Sequence, residues 1–391
     1  VLDGSALSLE EVVAVAVHGE TVELGVQLVG RMEPAMDLVA RVVADDETVY
    51  GITTGFGALT NTRIPTERAS EMQIDLLRSH ACGVGPLLER EVVRAMLLCR
   101  ARTLAQGYSG VRPVIVERLV ELLNRDITPA VPSQGSVGAS GDLAPFAHLT
   151  LPLIGEGEIL TADGDVRSAA EVLAEAGFEP ITLGPKEGLS LLNGTEGMLA
   201  LGCLAVHRAR TLVVADDSAC ALSVEALMGS SRPFEPRIHE LRPHPGQIES
   251  ARVIAGLLEG SEIDASHHDD FTHKVQDAYS LRCAPQVHGA ARDTITFAEE
   301  VFTRELGAVV DNPIVFADDG TFISAGNFHG QPLAVVLDFL AIALTELGSI
   351  SERRTDRILD PDRSAGLPPF LATDPGLDSG FMLSQYTAAA L

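Results

Sequence analysis

Long runs rich in Ala and Leu, with few large aromatic residues between them, set the terms on which this chain can fold. Phe, Tyr and Trp together make up 4% of the sequence and Trp is absent. A core must then come from Ala, Leu, Val and Ile, and Ala/Leu-rich stretches favour helices over sheets. With 391 residues, 46% of them hydrophobic, a large core and about two structural units are expected. The most apolar runs are interrupted: His207, Arg208 and Arg210 break one, and Asp338 sits inside another. Such runs read as buried bundle helices rather than membrane spans.

Ser8-Leu9-Glu10-Glu11 fits a helix-opening capping box. Helical patterning recurs at about 21–45, 66–80, 88–106 and 112–125, with long helices at about 187–229, 285–309 and 329–356. Two segments read instead as hairpins: GEILTADGDVRS, turning at Asp163-Gly164, and NPIVFADDGTFIS, turning at Asp319-Gly320. The expected fold is mainly α, a long-helix bundle with a smaller N-terminal domain and two short β-hairpins. Residues 1–200 are assigned to the N-terminal domain and residues 201–391 to the central bundle.

The formal net charge of −27 argues against binding to nucleic acid phosphates or to an anionic membrane. Cys82, Cys99, Cys203, Cys220 and Cys283 form no CxxC pair and are odd in number, which suits a reducing cytoplasm with thiols as small core residues. The first residues, VLDGSALSLEEV, lack the basic region and apolar run of a signal peptide.

The stretch Gly135-Ser136-Val137-Gly138-Ala139-Ser140-Gly141-Asp142 stands apart from this helical background. It has no P-loop lysine, no GxGxxG spacing and no GxSxG elbow, because Gly141 directly follows Ser140. Taken alone, such a loop is most often a turn. An Ala-Ser-Gly triplet nevertheless has a chemistry of its own. The amide nitrogen of Gly141 can attack the carbonyl carbon of Ala139. Loss of one water closes a five-membered ring, and loss of the Ser140 hydroxyl as a second water leaves an exocyclic methylidene. Gly141 keeps the attacking nitrogen unhindered, and Gly135 and Gly138 permit a compressed backbone. The product is an electrophile made from the chain itself, 4-methylidene-imidazol-5-one, with no external cofactor.

GSVGASGDLAPFAHL closely resembles the signature segment of the histidine, phenylalanine and tyrosine ammonia-lyases. YGITTGFGAL, SHACGVG, KEGLSLLNGTEG, VQDAYSLRCAPQVHGA, DNPIVF, SAGNFHGQP, GSISERR and LPPFL resemble further blocks of that family, in the family's order. The likeness covers essentially the whole chain. It implies an ammonia-lyase, a carbon–nitrogen lyase that eliminates ammonia from an aromatic amino acid, and a homotetramer whose active sites are shared between subunits. It also implies further residues beyond Leu391, so that this chain is expected to be C-terminally truncated.

The resemblance assigns roles residue by residue. Tyr50 matches the base that removes the substrate β-proton. A free phenol, with a pKa near ~10, is a poor base at neutral pH, so hydrogen bonds or positive charge must assist it. Tyr279 matches a second tyrosine near the electrophile. Arg282 matches the group that holds the substrate carboxylate, for which a guanidinium fork is suited. Asn193 and Gln276 match amides lining the site, Phe328 a wall of the pocket, and Met382 a weaker wall candidate. Read singly, each has a plainer role: a packed Tyr, a surface Arg, a capping Asn, a core Met.

Ser79-His80 bears on the substrate. Family members acting on histidine typically carry Ser-His here, and members acting on tyrosine or phenylalanine tend to carry His-Leu or Phe-Leu. An imidazole substrate needs a hydrogen-bonding partner, and His80 supplies one, whereas a phenyl substrate would leave it unpaired. L-histidine would then yield trans-urocanate and ammonia. Other readings are a tyrosine or phenylalanine ammonia-lyase, a 2,3-aminomutase of the same family, and an inactive helical fragment acting as an assembly partner. His267, His268, Asp269, Asp270 and His273 crowd together as a metal site would, but without HExxH spacing, and a solvated loop is the expected reading, with no metal.

Overall fold

The computed structural model of this chain describes residues 1–138, 141–267 and 275–391. Its contacts divide into two units, Val1–Leu204 with Val301–Val335, and Ala205–Glu300 with Val336–Leu391. The return of 301–335 to the first unit is a connection that a single boundary near residue 200 does not describe.

The first unit contains α1 (Leu9–Ala16), α2 (Leu28–Ala44), α3 (Ala69–His80), α4 (Arg90–Ala105), α5 (Pro113–Asn124), α6 (Leu143–Thr150), α7 (Ala169–Ala176), α8 (Glu187–Leu192) and the start of α9 (Glu196–Ala226). Helix α1 opens on the expected capping box. The Ser8 hydroxyl accepts the Glu11 N–H at 3.1 Å, and the Glu11 carboxylate accepts the Ser8 N–H at 2.8 Å.

Helix α4 is buried from Val92 to Ala105, three arginines included. Each arginine ends on backbone carbonyls. Arg94 donates to Val15 at 2.9 Å and Leu123 at 3.1 Å, Arg102 to Ser5 at 3.0 Å and Ala308 at 2.6 Å, and Arg100 to Val310 at 3.1 Å and to Ser190. Val15 and Leu123 lie in the last turns of α1 and α5, where carbonyls lack helical partners and a cation is favoured.

Both expected hairpins form. Strands β4 (Glu158–Leu160) and β5 (Val166–Ser168) pair with Ile159 opposite Arg167, and β6 (Ile314–Phe316) and β7 (Thr321–Ile323) pair with Val315 opposite Phe322. At the second turn the Asp319 carboxylate accepts the Thr321 N–H at 3.1 Å and its hydroxyl at 2.6 Å. Unexpected pairings are β1 (Val84–Leu87) with β3 (Pro132–Gln134), and β2 (Thr128–Pro129) with β4. Strand β3 leads directly into the Gly-rich loop.

The second unit holds the rest of α9, then α10 (Pro236–Glu240), α11 (Pro245–Leu258), α12 (Glu262–His267), α13 (Tyr279–Arg282), most of α14 (Ala284–Glu305) and of α15 (Gln331–Leu359), and α16 (Met382–Ala390). Its core gathers Cys220, Val224, Leu227, Phe234, Ile254, Leu258, Leu281 and Ile350. A charged cluster is buried there as well. His288 lies 2.7 Å from the Asp217 carboxylate through Nδ1 and 2.9 Å from Asp216 through Nε2, while Arg292 pairs with Asp217 and Arg354 with Asp216. Burial pulls the His288 pKa down, but the bonds to both carboxylates outweigh it and the net shift is upward.

Two helical stretches, Glu187–Ala226 and Gln331–Leu359, are long and apolar enough to cross a membrane by length and composition. The first breaks at Asn193-Gly194 between α8 and α9, and buried Glu196, Asp216 and Asp217 lie along it, as in the interior of a helical bundle. On α15, Val335, Phe339 and Ile342 are exposed.

Candidate functional site

Helix α3 is amphipathic in an unusual sense: its buried face carries Gln73, Leu76 and Leu77, and the adjoining face turns Met72, Ser79 and His80 toward a cavity. The cavity has a volume of about 780 Å³ and lies within the first unit. Four of the sequence-predicted residues line it together: Tyr50, His80, Asn193 and Phe328. Phe56, Met72, Leu76, Leu143, Leu189 and Leu192 make much of the remaining wall apolar. A mostly apolar cavity with a few convergent polar groups is the usual form of a small-molecule site.

Tyr50 sits on an irregular segment between α2 and α3, held by local bonds. The Thr53 hydroxyl donates to the Glu47 carbonyl at 2.6 Å and accepts the Val49 N–H at 2.9 Å, and the Gly55 N–H reaches the Thr62 carbonyl at 2.9 Å. The Tyr50 hydroxyl accepts the Gly57 N–H at 3.4 Å, and its ring meets Phe56 edge-on at 6.4 Å between centroids.

His80 is the last residue of α3. Its Nδ1 lies 2.9 Å from the Leu76 carbonyl, which can only accept, so Nδ1 carries the proton and a neutral ring leaves Nε2 as an acceptor. The Ser79 hydroxyl donates to the same carbonyl at 3.1 Å. Asn193, buried where α8 ends, donates through Nδ2 to the Asn312 carbonyl at 3.1 Å, which leaves its side-chain oxygen as an acceptor.

Ala139 and Ser140 lie outside the described residues, but both flanks of the triplet are described. The Gly138 carbonyl accepts the Gly330 N–H at 2.9 Å. Gly141 has φ +75°, and a Cβ there would collide with the Gly194 carbonyl. The next residue, Asp142, donates its N–H to that carbonyl at 2.8 Å. Its buried carboxylate accepts the Ser136 hydroxyl at 2.6 Å and the Met198 N–H at 3.0 Å, and so ties the entry of the loop to the start of α9. Gly138 and Gly141, on either side of the undescribed residues, are thus both held by backbone from other segments, Gly330 and Gly194.

Under this floor lies a buried ionic layer. Arg100 pairs with Glu196 at 2.8 Å, both fully buried, and Glu196 Oε2 has no hydrogen-bond partner among the described residues. Lys186 pairs with Asp311 at 2.8 Å, and the Ser190 hydroxyl donates to the same Asp311 oxygen at 2.9 Å. Burial lowers the Lys186 pKa and the Asp311 carboxylate opposes that shift. Asp142, Arg100, Glu196, Lys186 and Asp311 were not singled out from the sequence. The available signal was a charge inside an apolar helical run, as at Arg100 in LLCRARTLA.

Burial pushes the Asp142 carboxyl up to about 6, against the lowering effect of its bonds to Ser136, Met198 and Gly197. A carboxyl whose folded pKa is raised lets the unfolded chain give up its proton first, so stability falls as pH rises from about 4 to about 6. Asp142→Asn removes that ionisation. Relative to wild type, its unfolding free energy is expected to gain on the order of 2–3 kcal/mol between pH 4 and pH 7. Urea unfolding of both proteins across that range checks this; parallel pH profiles would refute it.

Gln276, Tyr279, Arg282 and Met382 belong to the second unit. Gln276 is exposed, and Tyr279 opens α13 with 72% of its surface exposed. The Arg282 guanidinium stacks on the Tyr279 ring at 4.5 Å, and its Nε has no hydrogen-bond partner among the described residues. Met382 is half-buried at the start of α16. Of the residues weighed as metal ligands, His267 is described, with Nε2 2.8 Å from the Gly229 carbonyl, and His268, Asp269, Asp270 and His273 lie outside the described residues. Among the described residues no group of three or more His, Cys, Asp or Glu could hold a metal ion.

Comparison with known proteins shows the family. The family model for aromatic amino acid lyases matches residues 7–391. The chain is 54% identical, over its full length, to 76% of a histidine ammonia-lyase from Gloeobacter violaceus, and 52% identical to 76% of one from Streptomyces griseus. Among solved structures, all of the chain superposes on 76% of tyrosine aminomutase from Streptomyces globisporus (TM-score 0.93, 40% identity). It also superposes on 72% of histidine ammonia-lyase from Trypanosoma cruzi (TM-score 0.88, 42% identity). The helical fold, the sequence blocks and the match across residues 7–391 agree: the chain belongs to the aromatic amino acid lyase family.

Proposed function

We propose that this chain is the lyase that eliminates ammonia from L-histidine to give trans-urocanate in histidine catabolism. Curated histidine ammonia-lyases about half identical over the whole chain support the reading. The single observation that carries histidine over other aromatic amino acids is His80. Its proton is fixed on Nδ1 by the Leu76 carbonyl, and its Nε2 is left to accept an imidazole N–H at the cavity wall. The 4-methylidene-imidazol-5-one made from Ala139, Ser140 and Gly141 would supply the electrophile that turns the substrate amine into a leaving group.

The chain's own residues then have distinct tasks. Tyr50, in the cavity wall, is the proposed acceptor of the β-proton. Asn193 offers an amide oxygen to the substrate, and Phe328 and Leu143 exclude water from it. Arg282, Tyr279, Gln276 and Met382 keep the roles that the family resemblance implies. A homotetramer that shares sites among subunits would take such residues from more than one copy. The exposed Val335, Phe339 and Ile342 on α15 support burial against further copies. The five cysteines are all free thiols, which suits a cytoplasmic location.

The test is direct. The intact mass of the purified protein should fall short of the printed sequence by two waters, with the deficit in the peptide that holds residues 139–141. The same preparation should release urocanate from L-histidine. A full mass with no urocanate would sink the proposal, and a β-amino acid product would identify an aminomutase instead. His80→Leu is expected to lower kcat/KM for L-histidine by ~10–100-fold, because the imidazole N–H loses its acceptor. The ratio of L-phenylalanine to L-histidine turnover should rise at the same time. An unchanged ratio would remove His80 from the substrate pocket.

A further inference from the structure

We infer that Gln73 is a positioning residue for this reaction, the internal brace that sets Tyr50 against the substrate-reading end of α3; the inference rests on the lyase reading above. Gln73 is fully buried and is not part of the cavity wall. Its side-chain oxygen accepts the Leu189 N–H at 3.0 Å, and its amide nitrogen donates to the Gly51 carbonyl at 3.4 Å. One side chain thus joins three segments that each carry cavity residues. Gly51 follows Tyr50 in the chain. Leu189 lines the cavity itself and stands in α8, four residues before Asn193. Gln73 stands on α3, two turns before Ser79 and His80.

The joint is tight. A Cβ on Gly188 would press on the Gln73 carbonyl, and one on Gly51 would collide with the Leu189 side chain. Tyr50 needs such a brace because it lies in a turn between α2 and the isolated bridge of Thr54 with Arg63, and among the described residues its hydroxyl makes only the long bond to Gly57. Both ends of an amide are used: a donor for a carbonyl and an acceptor for an N–H, a combination that Gln supplies at any pH and a Glu of the same length only when protonated. A reacting group displaced by about 1 Å loses ~10²-fold in rate, so a brace behind Tyr50 acts on kcat.

Two variants of the full-length protein separate this role from mere packing. Gln73→Glu keeps the acceptor for Leu189 but, once ionised, loses the donor to Gly51. Gln73→Met keeps the volume and loses both bonds. Both are expected to form the electrophile, read as the two-water mass deficit, and to keep KM for L-histidine within about threefold while kcat falls ~10–100-fold. In Gln73→Glu the loss should shrink as pH falls, because the protonated carboxyl donates again, whereas the loss in Gln73→Met should not follow pH in that way. Wild-type kcat in either variant, or a kcat loss matched by the fraction lacking the mass deficit, would overturn the inference. If the wild-type protein itself releases no urocanate, the lyase reading fails first and the brace is not what failed. Should Gln73→Met not fold, the pH response of Gln73→Glu decides alone.

Discussion

Tyr50→Phe is expected to lower kcat for L-histidine by ~10²–10⁴-fold, the range for loss of a positioned proton acceptor. The phenol lines the cavity with His80 and Asn193, and among the described residues its hydroxyl takes part in one bond, with the Gly57 N–H. Removing its oxygen therefore breaks little else. The ring stays edge-on to Phe56, so neither the fold nor the two-water mass deficit should change. Stopped assays of urocanate release at saturating histidine, alongside intact mass, read both quantities. A kcat within threefold of wild type would assign the β-proton to another group, with Tyr279 the next to replace.

Gly141→Ala should act earlier, on the making of the electrophile. Two obstacles coincide there: φ of +75°, where a side chain is strained, and the Gly194 carbonyl in the place a Cβ would occupy. The backbone at Gly141 has to move, and with it the nitrogen proposed to attack Ala139. The expected result is a protein of full, undehydrated mass whose urocanate release is down by at least ~10²-fold. Ser140→Ala is its chemical counterpart, since without the hydroxyl the second water cannot leave. Circular dichroism should show the helices intact in both. A dehydrated, active Gly141→Ala would mean that the loop tolerates displacement and that the Gly194 contact does not govern ring closure.

The fold was legible where the determining forces are local. Helix α1 follows from Ser8 and Glu11, and the two hairpins from Asp163-Gly164 and Asp319-Gly320. The long helices follow from apolar spacing. The break inside the expected 187–229 helix was legible only as a capping role for Asn193, because Gly194 leaves the helix to meet Asp142 and Gly141, far off in the chain. Strand β1 was missed for a related reason. Val-Gly-Pro-Leu has little strand propensity of its own and is extended by pairing with β3.

At the candidate site, Tyr50, His80, Asn193 and Phe328 were legible through sequence blocks, and the cavity gathers them. The buried charges were not. Lys186 reads as an ordinary surface lysine until Asp311, 125 residues further on, lies beside it. Gln73 likewise gives no sign of burial in EMQIDLLRSH, since Gln is mostly exposed in proteins. A polar residue in a sequence does not disclose whether a distant segment supplies its partner.

The close stacking of Gly141 on Gly194 has a bearing on how such proteins diversify. The Gly194 carbonyl accepts the Asp142 N–H and stands where a Cβ on Gly141 would go, so under the proposed chemistry a change at these positions threatens the making of the electrophile itself. Residues 79 and 80 sit on another element, at the end of α3. Under the proposed roles, substrate preference can drift by substitutions at the end of α3 while the reactive group is inherited unchanged. Such a separation lets one scaffold explore new amino acids without passing through an inert ancestor.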